Sequence, residues 1–214
     1  MASGAVSTFE GITISITLFA IAFFVSFKHS HQDFWKYSLV YFLCSLLYSF
    51  YLKKVLIADV LCLGGFYTSR ILIGGVAAKV ETSSWLLGTS FFFFIGLAFL
   101  KRFIELLGLE ANQRFSRRAY KVDDKHLLAA FGVSSGMIAL LLLVLYTSLP
   151  NIAPLYSHPE RLWFAVVILL YWTARLWFLA VRNELHEDPI VFALKDWASY
   201  LTILILVCIF SWAT

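Results

Sequence analysis

A short cluster of charged residues has the spacing of a phosphate-binding face. Glu105 follows Lys101 by four residues and Arg102 by three, so the three side chains lie on one face of a helix. Arginine binds phosphate through two parallel hydrogen bonds, and lysine adds a point charge. The same spacing is also typical of an ordinary ion pair at a helix end, so the cluster alone leaves both interpretations open.

Two adjacent carboxylates farther along the same connection indicate a metal site. Asp123 and Asp124 follow Lys121 in a stretch rich in basic residues. Magnesium binds proteins through one or two carboxylates and completes its shell with phosphate oxygens and water. We therefore predict Mg²⁺ as the cofactor, with Glu105, Asp123 and Asp124 as candidate ligands. The alternative is that the two aspartates cap the helix that opens near His126.

An eleven-residue spacing places Asp59 and Arg70 on one helix face, with Tyr67 beside them. Arg70 lies well inside an apolar run, where a charge costs about 2.5 to 3.5 kcal/mol and usually faces a polar cavity or a partner. The alternative is an arginine that snorkels or pairs with a carboxylate for packing alone. Lys53 and Lys54 precede the run and either bind an anion or anchor the end of a span.

Arg175 is a third candidate, since it lies among Tyr171, Trp172 and Trp177 near the end of an apolar run. Its guanidinium has the chemistry to bind an anionic ligand at a membrane surface. The surrounding rings are also typical of the aromatic belt that anchors a helix between lipid and water. We predict Arg175 as a substrate-binding residue, with the belt as the alternative.

The elements that carry these residues are predicted to be membrane-spanning helices. Hydrophobic residues make up 61% of the chain and charged residues 14%, and the mean hydropathy is +0.82. This composition excludes an ordinary soluble globular domain. A spanning helix needs about 20 mostly apolar residues. Seven runs approach or meet that length, at residues 12–27, 34–52, 55–78, 85–100, 127–149, 162–181 and 197–212.

The alternating pattern of membrane strands does not compete with these runs. We therefore predict an all-α, polytopic transmembrane bundle that forms one domain over residues 1–214. Basic residues concentrate on alternate connections, which predicts a cytoplasmic location for that face in an inner or plasma membrane. The basic residues of that face are Lys53, Lys54, Lys101, Arg102, Arg114, Arg117, Arg118, Lys121, Lys125, Arg182 and Lys195.

Most carboxylates fall on the same face, and the positive-inside rule does not account for them. A charged, metal-bound anionic ligand would account for both signs of charge. The alternative is that the long connection over residues 101–125 is simply solvated, and that its acidic residues reflect its length.

Several segments resemble the UbiA superfamily of intramembrane prenyltransferases. Residues 2–7 are similar to the end of that family's Arg-Pro-x-Ala-Ser-Gly stretch, and residues 48–54 to its Tyr-x-x-x-Leu-Lys-Arg segment. Residues 101–120 resemble its second active-site loop. Residues 170–175 and 186–196 resemble the branch that includes decaprenyl-phosphate phosphoribosyltransferase. The resemblance extends over nearly the whole chain.

The resemblance implies an enzyme that transfers a group between a magnesium-bound diphosphate donor and a polyprenyl or aromatic acceptor in the membrane. Most members use a prenyl diphosphate as donor, whereas the phosphoribosyl branch uses ribose pyrophosphate as donor and polyprenyl phosphate as acceptor. The expected catalytic residues are Lys53, Asp59, Arg70, Lys101, Arg102 and Glu105. The expected substrate-binding residues are Lys54, Tyr67, Tyr120, Lys121 and Arg175, and the expected metal ligands are Glu105, Asp123 and Asp124.

The chain departs from the family pattern at its start. The nine-helix family fold opens with two helices and an Asn-Asp-x-x-Asp-x-x-x-Asp magnesium motif, which precede the stretch that residues 2–7 resemble. The seven predicted spans then correspond to the last seven helices of that fold, and the domain is expected to be truncated at its amino terminus. Because half of the metal site would be missing, we expect no turnover by the chain alone.

A secondary transporter, or another membrane protein without catalytic activity, is the alternative function. Transporters bind their substrates near the midplane, on interrupted helices of two related halves. Gly64-Gly65 and Gly74-Gly75 have the composition to interrupt the third span, but the sequence shows no repeat. Nucleic acid is not a predicted partner, because topology accounts for the basic excess. The predicted partners are polyprenyl diphosphate or polyprenyl phosphate and the lipid bilayer.

Overall fold

The computed structural model describes residues 7–29, 34–112, 119–149 and 156–214. Within these ranges all regular secondary structure is helical, which confirms the predicted all-α bundle. Seven long helices and one short helix follow one another along the chain. They are α1 (Thr8–His29), α2 (Phe34–Phe50), α3 (Ala58–Ala78), α4 (Ser84–Asn112), α5 (Lys125–Thr147), α6 (Leu162–Val181), α7 (Pro189–Ala193) and α8 (Trp197–Ala213).

Each of the seven long helices overlaps one of the seven predicted spans. Three helical stretches are long and apolar enough to cross a membrane by length and composition, namely Ala58–Ala78, Val122–Thr147 and Pro159–Val181. Shorter apolar helical segments occupy Phe9–Val25 in α1 and Trp197–Ala213, which is α8. These features identify the chain as an integral membrane protein.

The predicted boundary of the fourth span at residue 100 is wrong, because α4 continues to Asn112. Residues 101–112 were expected in a long connection. The helix continues because Phe103, Ile104 and Leu106 point into the bundle, with only 6%, 8% and 3% of their surface exposed. The connection after α4 is therefore shorter than expected. The basic residues Arg114, Arg117 and Arg118, and the first five residues of segment 2–7, lie outside the described ranges.

Helix α3 passes through both of its glycine pairs without interruption. A Cβ atom at Gly64 would lie 2.5 Å from Cγ1 of Ile95 in α4, so this glycine allows the two helices to approach closely. The helix ends at Ala78, and the C-cap residue Lys79 has a left-handed φ of 57°. The N–H of Lys79 donates to the carbonyl of Val76 at 3.3 Å, and the N–H of Val80 donates to that of Gly75 at 2.9 Å. The glycine pairs do not form the interrupted helix that a transporter site would use.

Helix α4 lies at the centre of the bundle and contacts α5 through glycine. A Cβ atom at Gly96 would lie 3.1 Å from the carbonyl oxygen of Gly132 and 3.3 Å from the backbone nitrogen of Gly136. A Cβ atom at Gly132 would collide with the Trp177 ring of α6 and with the side chain of Phe99. Small residues at these positions let the backbones pack directly, as is common between helices in membranes.

Helices α1 and α2 lie at the outside of the bundle. The described side chains of α1 are almost all exposed, and α2 has no buried residue. Apolar side chains on this surface would face lipid tails, which are as apolar as leucine, so their exposure costs little in a membrane. The well-packed part of the structure is built from α3 to α6 together with α8.

Candidate functional site

A buried ion pair joins the first turn of α3 to the last third of α4. Asp59 is fully buried, and Arg102 exposes only 1% of its surface. The Arg102 Nε atom lies 2.5 Å from Asp59 Oδ2, and Nη2 donates to Asp59 Oδ1 at 3.2 Å. A charge this deeply buried requires a close partner of opposite sign. This pair fixes one end of the bundle, which we call the charged end.

Glu105 and Tyr48 complete the cluster around Arg102. The Nη1 atom of Arg102 donates to both carboxylate oxygens of Glu105, at 2.6 Å and 2.5 Å. The hydroxyl of Tyr48 in α2 donates to Asp59 Oδ1 at 2.7 Å. Unlike Asp59, Glu105 exposes 39% of its side chain. The cluster therefore combines the buried Asp59–Arg102 pair with the Glu105 carboxylate, which is accessible from outside the bundle.

A strained turn leads the chain into Asp59. Ile57 has a φ of 65° and a ψ of −43°, and the N–H of Ala58 donates to the carbonyl of Leu56 at 2.7 Å, which is a γ-turn. Positive φ is rare for a β-branched residue. The N–H of Ile57 donates to the hydroxyl of Tyr120 at 3.1 Å, and the Tyr120 side chain is buried. Tyr120 thus holds the turn that places Asp59 against Arg102.

Lys101 lies in a recess beside this cluster. Its Nζ atom lies 2.5 Å from Oδ2 of Asp188, which precedes the short helix α7 in the connection between α6 and α8. The recess is shallow, with a volume of about 20 Å³, which is room for about one water molecule, and its lining mixes polar and apolar side chains. Its lining residues are Leu63, Tyr67, Phe94, Leu97, Ala98, Lys101, Asp188, Pro189 and Ile190.

Arg70 lies apart from the charged end. It is on the same helix as Asp59 but about 16 Å farther along the axis, because each residue of a helix rises about 1.5 Å. The Arg70 guanidinium is exposed, stacks over the Tyr67 ring at 5.0 Å from its centroid, and donates from Nε to the Tyr41 hydroxyl at 3.1 Å. The structure therefore separates Arg70 from Arg102 and Glu105, although Tyr67 extends from Arg70 to the recess.

Arg175 forms a second ion pair at the junction of α6 and α8. Its Nη1 and Nη2 atoms donate to the two carboxylate oxygens of Asp196 at 2.7 Å and 2.8 Å. Asp196 also accepts hydrogen bonds from the backbone N–H and the hydroxyl of Ser199, both at 2.8 Å, and so caps α8. Trp172 Nε1 donates to the Ser199 hydroxyl at 2.9 Å. Binding of a ligand by Arg175 would require this network to open.

Two aspartates of the connection between α6 and α8 have lowered pKa values. Burial raises the pKa of Asp188, but the hydrogen bond from Lys101 and the backbone N–H of Ile190 outweigh it and bring the pKa below its ordinary value. Burial also raises the pKa of Asp196, and hydrogen bonds from Arg175 and Ser199 reverse the shift. Both carboxylates are therefore ionised at neutral pH.

Comparison with known sequences identifies the family of this chain. The profile of the UbiA prenyltransferase family matches residues 1–203. The chain belongs to the UbiA prenyltransferase family. This membership agrees with the resemblance of residues 48–54 and 101–120 noted in the sequence.

Two curated proteins are similar to this UbiA-family chain. The uncharacterized protein y4nM of Sinorhizobium fredii is 34% identical over 203 residues, which cover 94% of this chain and 39% of y4nM. The nodulation protein NoeC of Azorhizobium caulinodans is 28% identical over 169 residues, which cover 77% of this chain and 54% of NoeC. The chain thus spans about two fifths to half of the length of these relatives.

The remaining predicted UbiA site residues lie around the charged end without joining the Arg102 cluster. Lys53 and Lys54 are exposed in a short 3₁₀ helix between α2 and α3. Asp124 accepts a hydrogen bond at 2.8 Å from the backbone N–H of Lys121, which makes it a cap of the 3₁₀ turn before α5, while Asp123 is exposed. Asp124 occupies the N-cap position of α5, but its side chain makes no capping hydrogen bond to that helix and closes the preceding 3₁₀ turn instead.

The three predicted metal ligands do not form one cluster. Among the described residues, no group of three or more His, Cys, Asp or Glu side chains is placed to hold a metal ion. Glu105 is bound to Arg102, and Asp124 is bound to backbone. A magnesium ion at this site would take its other ligands from a bound phosphate or from water.

Sequence reasoning missed Asp188 and Tyr41 in this UbiA-family site. Asp188 contacts Lys101 across 87 residues of chain, and Tyr41 contacts Arg70 across 29. Neither spacing follows a helical or strand period, so no local pattern brings these residues together. The one available signal was Asp188-Pro189, which is typical of a helix start.

Proposed function

We propose that the charged end of this chain binds the diphosphate of a magnesium-bound donor, for transfer of a group to or from a polyprenyl or aromatic acceptor in the membrane. The observation that carries the proposal is the Arg102 cluster, in which a fully buried carboxylate holds the guanidinium and a second carboxylate remains 39% exposed. Membership of the UbiA prenyltransferase family supports this class of reaction.

The charges of the cluster fit a divalent cation next to a diphosphate. One guanidinium and the carboxylates of Asp59 and Glu105 sum to a formal charge of −1, and the accessible oxygens belong to Glu105. Magnesium prefers carboxylate oxygens and keeps open positions for phosphate. Glu105 would therefore hold the metal ion, while Lys101 in the neighbouring recess would bind a phosphate oxygen.

The positions of the side chains suit a reaction in which a diphosphate leaves. Bound magnesium would supply positive charge that stabilises the leaving diphosphate. Lys101 would add a second positive charge, and Arg102 would keep the Glu105 carboxylate oriented. Leu63, Phe94 and Leu97 form the apolar side of the recess, against which an isoprenoid end would pack from outside.

The choice between two possible donors depends on the branch of the family to which the chain belongs. A prenyl diphosphate would suit the apolar lining, whereas the resemblance of residues 170–175 and 186–196 to the phosphoribosyl branch favours ribose pyrophosphate as donor and polyprenyl phosphate as acceptor. Both donors carry the same diphosphate and metal ion. We propose that the charged end faces the cytoplasm of an inner or plasma membrane, since the basic connections lie on that side.

Binding of magnesium pyrophosphate tests the proposal directly. Purified chain in lipid nanodiscs should bind pyrophosphate in calorimetric titrations when Mg²⁺ is present and lose most of this binding when the metal is chelated. As a control, the Glu160→Gln variant should bind pyrophosphate like the wild type, because Glu160 is an exposed acid in the connection between α5 and α6, away from the charged end. Absence of saturable binding by the wild-type chain, with or without metal, would contradict the proposal.

Transport and turnover assays separate the two functional classes. Flux of a diphosphate compound into proteoliposomes without chemical change would support the transporter alternative instead. With radiolabelled prenyl diphosphate or ribose pyrophosphate, magnesium-dependent transfer of label to a polyprenyl or aromatic acceptor would support the proposed reaction class.

A further inference from the structure

The connection between α6 and α8 contributes a carboxylate to the recess at the charged end. Asp188 Oδ2 lies 2.5 Å from Lys101 Nζ, and the two side chains line the recess together. About a quarter of the Asp188 side chain and a third of the Lys101 side chain are exposed, at 25% and 34%. The ion pair is therefore at the mouth of the recess, and part of the ammonium group is accessible.

Asp188 is itself held in place by backbone. Its Oδ1 accepts a hydrogen bond from the N–H of Ile190 at 2.9 Å, so the carboxylate caps α7. Pro189 follows at the first helical position and is fully buried. One carboxylate oxygen thus fixes the short helix, while the other is available to Lys101.

Lys101 needs such a partner because its side chain is flexible. A lysine ammonium sits on a four-carbon stem and carries about 2 kcal/mol of rotamer entropy. An ammonium group has three N–H donors, and Asp188 takes one of them. The remaining donors stay available to a ligand in the recess.

We infer that Asp188 is a positioning residue for Lys101, and that it orients the ammonium group toward the phosphate oxygens of a diphosphate bound at the mouth of the recess. The inference rests on the proposed function, since it assigns Lys101 to the diphosphate. It adds the connection between α6 and α8 to a site otherwise built from α2, α3 and α4.

Loss of the Asp188 charge has two opposing effects on binding of the diphosphate. Removing the carboxylate relieves its repulsion of a phosphate, but it also frees Lys101 from the recess. The repulsion is small, because Lys101 already neutralises Asp188 and magnesium neutralises much of the diphosphate. Loss of orientation is the larger effect, so removal of the charge should weaken binding.

The test is a double-mutant cycle on magnesium pyrophosphate binding in nanodiscs. Asp188→Asn keeps an oxygen that can cap α7 but removes the charge, and it should weaken binding about tenfold, as loss of a supporting residue behind a ligand typically does. Lys101→Met should weaken it at least as much. In the Lys101→Met background Asp188→Asn should cause no further loss of binding and should even tighten it slightly, because the carboxylate has no ammonium group to position and its repulsion of the phosphate is no longer neutralised.

The control is Glu187→Gln, which changes the neighbouring acid and its exposed pair with Lys195. It should leave the dissociation constant unchanged. Asp188→Ser provides a second variant that can cap α7 without a charge, and it should behave like Asp188→Asn. Agreement of the two variants would show that the charge matters and the fold of α7 does not.

Three results would overturn the inference. Unchanged or tighter binding by Asp188→Asn would show that Asp188 does not position Lys101. An equal loss in the wild-type and Lys101→Met backgrounds would show that Asp188 acts through the fold. Absence of binding by the wild-type chain would overturn the proposed function together with this inference, whereas the first two results would leave the proposed function intact.

Discussion

Two arginine and aspartate pairs join helices in this bundle, and they differ in what surrounds them. Arg102 is buried at the junction of α3 and α4, where it binds Asp59 and also Glu105. Arg175 joins α6 to α8, and the acceptor sites of its partner Asp196 are used by Arg175 and Ser199.

The two pairs differ in the exposure of their carboxylates. The Arg175 pair is bidentate, and Asp196 exposes only 11% of its side chain. In the Arg102 cluster both Glu105 oxygens accept hydrogen bonds from Arg102, yet 39% of the Glu105 side chain is exposed. This exposure is the reason for proposing a ligand site at the Arg102 cluster and a structural role for the Arg175 pair.

Arg102→Met is expected to have the largest effect. Methionine leaves Asp59 fully buried without its guanidinium, and removing one partner of a buried pair costs about 3 to 5 kcal/mol. The midpoint of thermal unfolding in detergent should fall sharply, or folded protein should fail to accumulate. Combining the change with Asp59→Asn should recover part of the loss, because the uncompensated charge is then gone.

The matched control for Arg102→Met is Arg182→Met. Arg182 is exposed after α6, and its guanidinium stacks on the Phe178 ring at 6.0 Å. This variant should unfold within about 4 °C of the wild type, since exposed contacts of this kind contribute about 0.5 to 1 kcal/mol or less and 1 kcal/mol shifts the midpoint by about 2 to 4 °C in a chain of this size. Equal unfolding midpoints for the two arginine variants would show that the buried cluster is not what holds α3 to α4.

Asp196→Asn should have the next largest effect, and it should act on stability alone. The change weakens two charge-assisted hydrogen bonds from Arg175, which together are worth about 1.5 to 3 kcal/mol. Thermal unfolding should shift downward, while binding of magnesium pyrophosphate stays as in the wild type. A weakened dissociation constant would mean that Arg175 belongs to the ligand site after all.

The same pair predicts a pH dependence. The pKa of Asp196 is lowered in the folded protein from an ordinary value of 3.8, so the pair stabilises the fold above that value and loses this contribution as pH falls through the lower folded pKa. The difference in unfolding midpoint between wild type and Asp196→Asn should be constant from pH 8 to about pH 5 and shrink below about pH 4. A difference that changes between pH 6 and pH 8 would contradict this assignment.

Glu105→Gln should mainly weaken ligand binding, whereas Asp196→Asn should mainly lower stability. Glutamine keeps an oxygen for Arg102 but removes the charge that would hold magnesium, so binding of magnesium pyrophosphate should weaken about tenfold. The unfolding midpoint should change less than in Asp196→Asn, because Glu105 is 39% exposed. Unchanged binding in calorimetric titrations would remove Glu105 from the proposed metal site.

Ile57→Gly should have the smallest effect on the unfolding midpoint, and it should raise the midpoint whereas the other variants lower it. The chain enters α3 through Ile57 at a φ of 65°, whereas it enters α8 through Asp196 at an ordinary φ of −89°. Glycine tolerates positive φ, so the change should relieve about 1 kcal/mol of backbone strain and raise the unfolding midpoint slightly. A lower midpoint would show that the exposed Ile57 side chain contributes more than the strain costs.

The sequence was most informative where a pattern is local. Apolar runs located all seven long helices, and the spacing of Arg102 and Glu105 predicted their pairing on one face. Long-range partners were beyond reach, because Asp59 and Arg102 are 43 residues apart and Lys101 and Asp188 are 87 apart. The sequence analysis placed Arg70 with Asp59 because both lie on one face of α3. A shared face means only that two side chains point in the same direction, and these two residues are still about 16 Å apart along the helix axis.

The turn at Ile57 was unpredictable for a different reason. A β-branched residue rarely adopts positive φ, so an isoleucine at position 57 predicts an extended or helical backbone. The conformation is held by the tertiary contact of its N–H with the Tyr120 hydroxyl, 63 residues away, which no local pattern reveals. Strained backbone of this kind is common beside functional sites.

The glycine contact between α4 and α5 fixes the spacing of these two helices. Gly96 lies against the backbone of Gly132 and Gly136, and Gly132 lies against the Trp177 ring, so a larger side chain at either position would push neighbouring helices apart. Because α4 also carries Lys101, Arg102 and Glu105, a larger side chain at Gly96 should displace these groups and weaken ligand binding, although Gly96 itself contacts none of them.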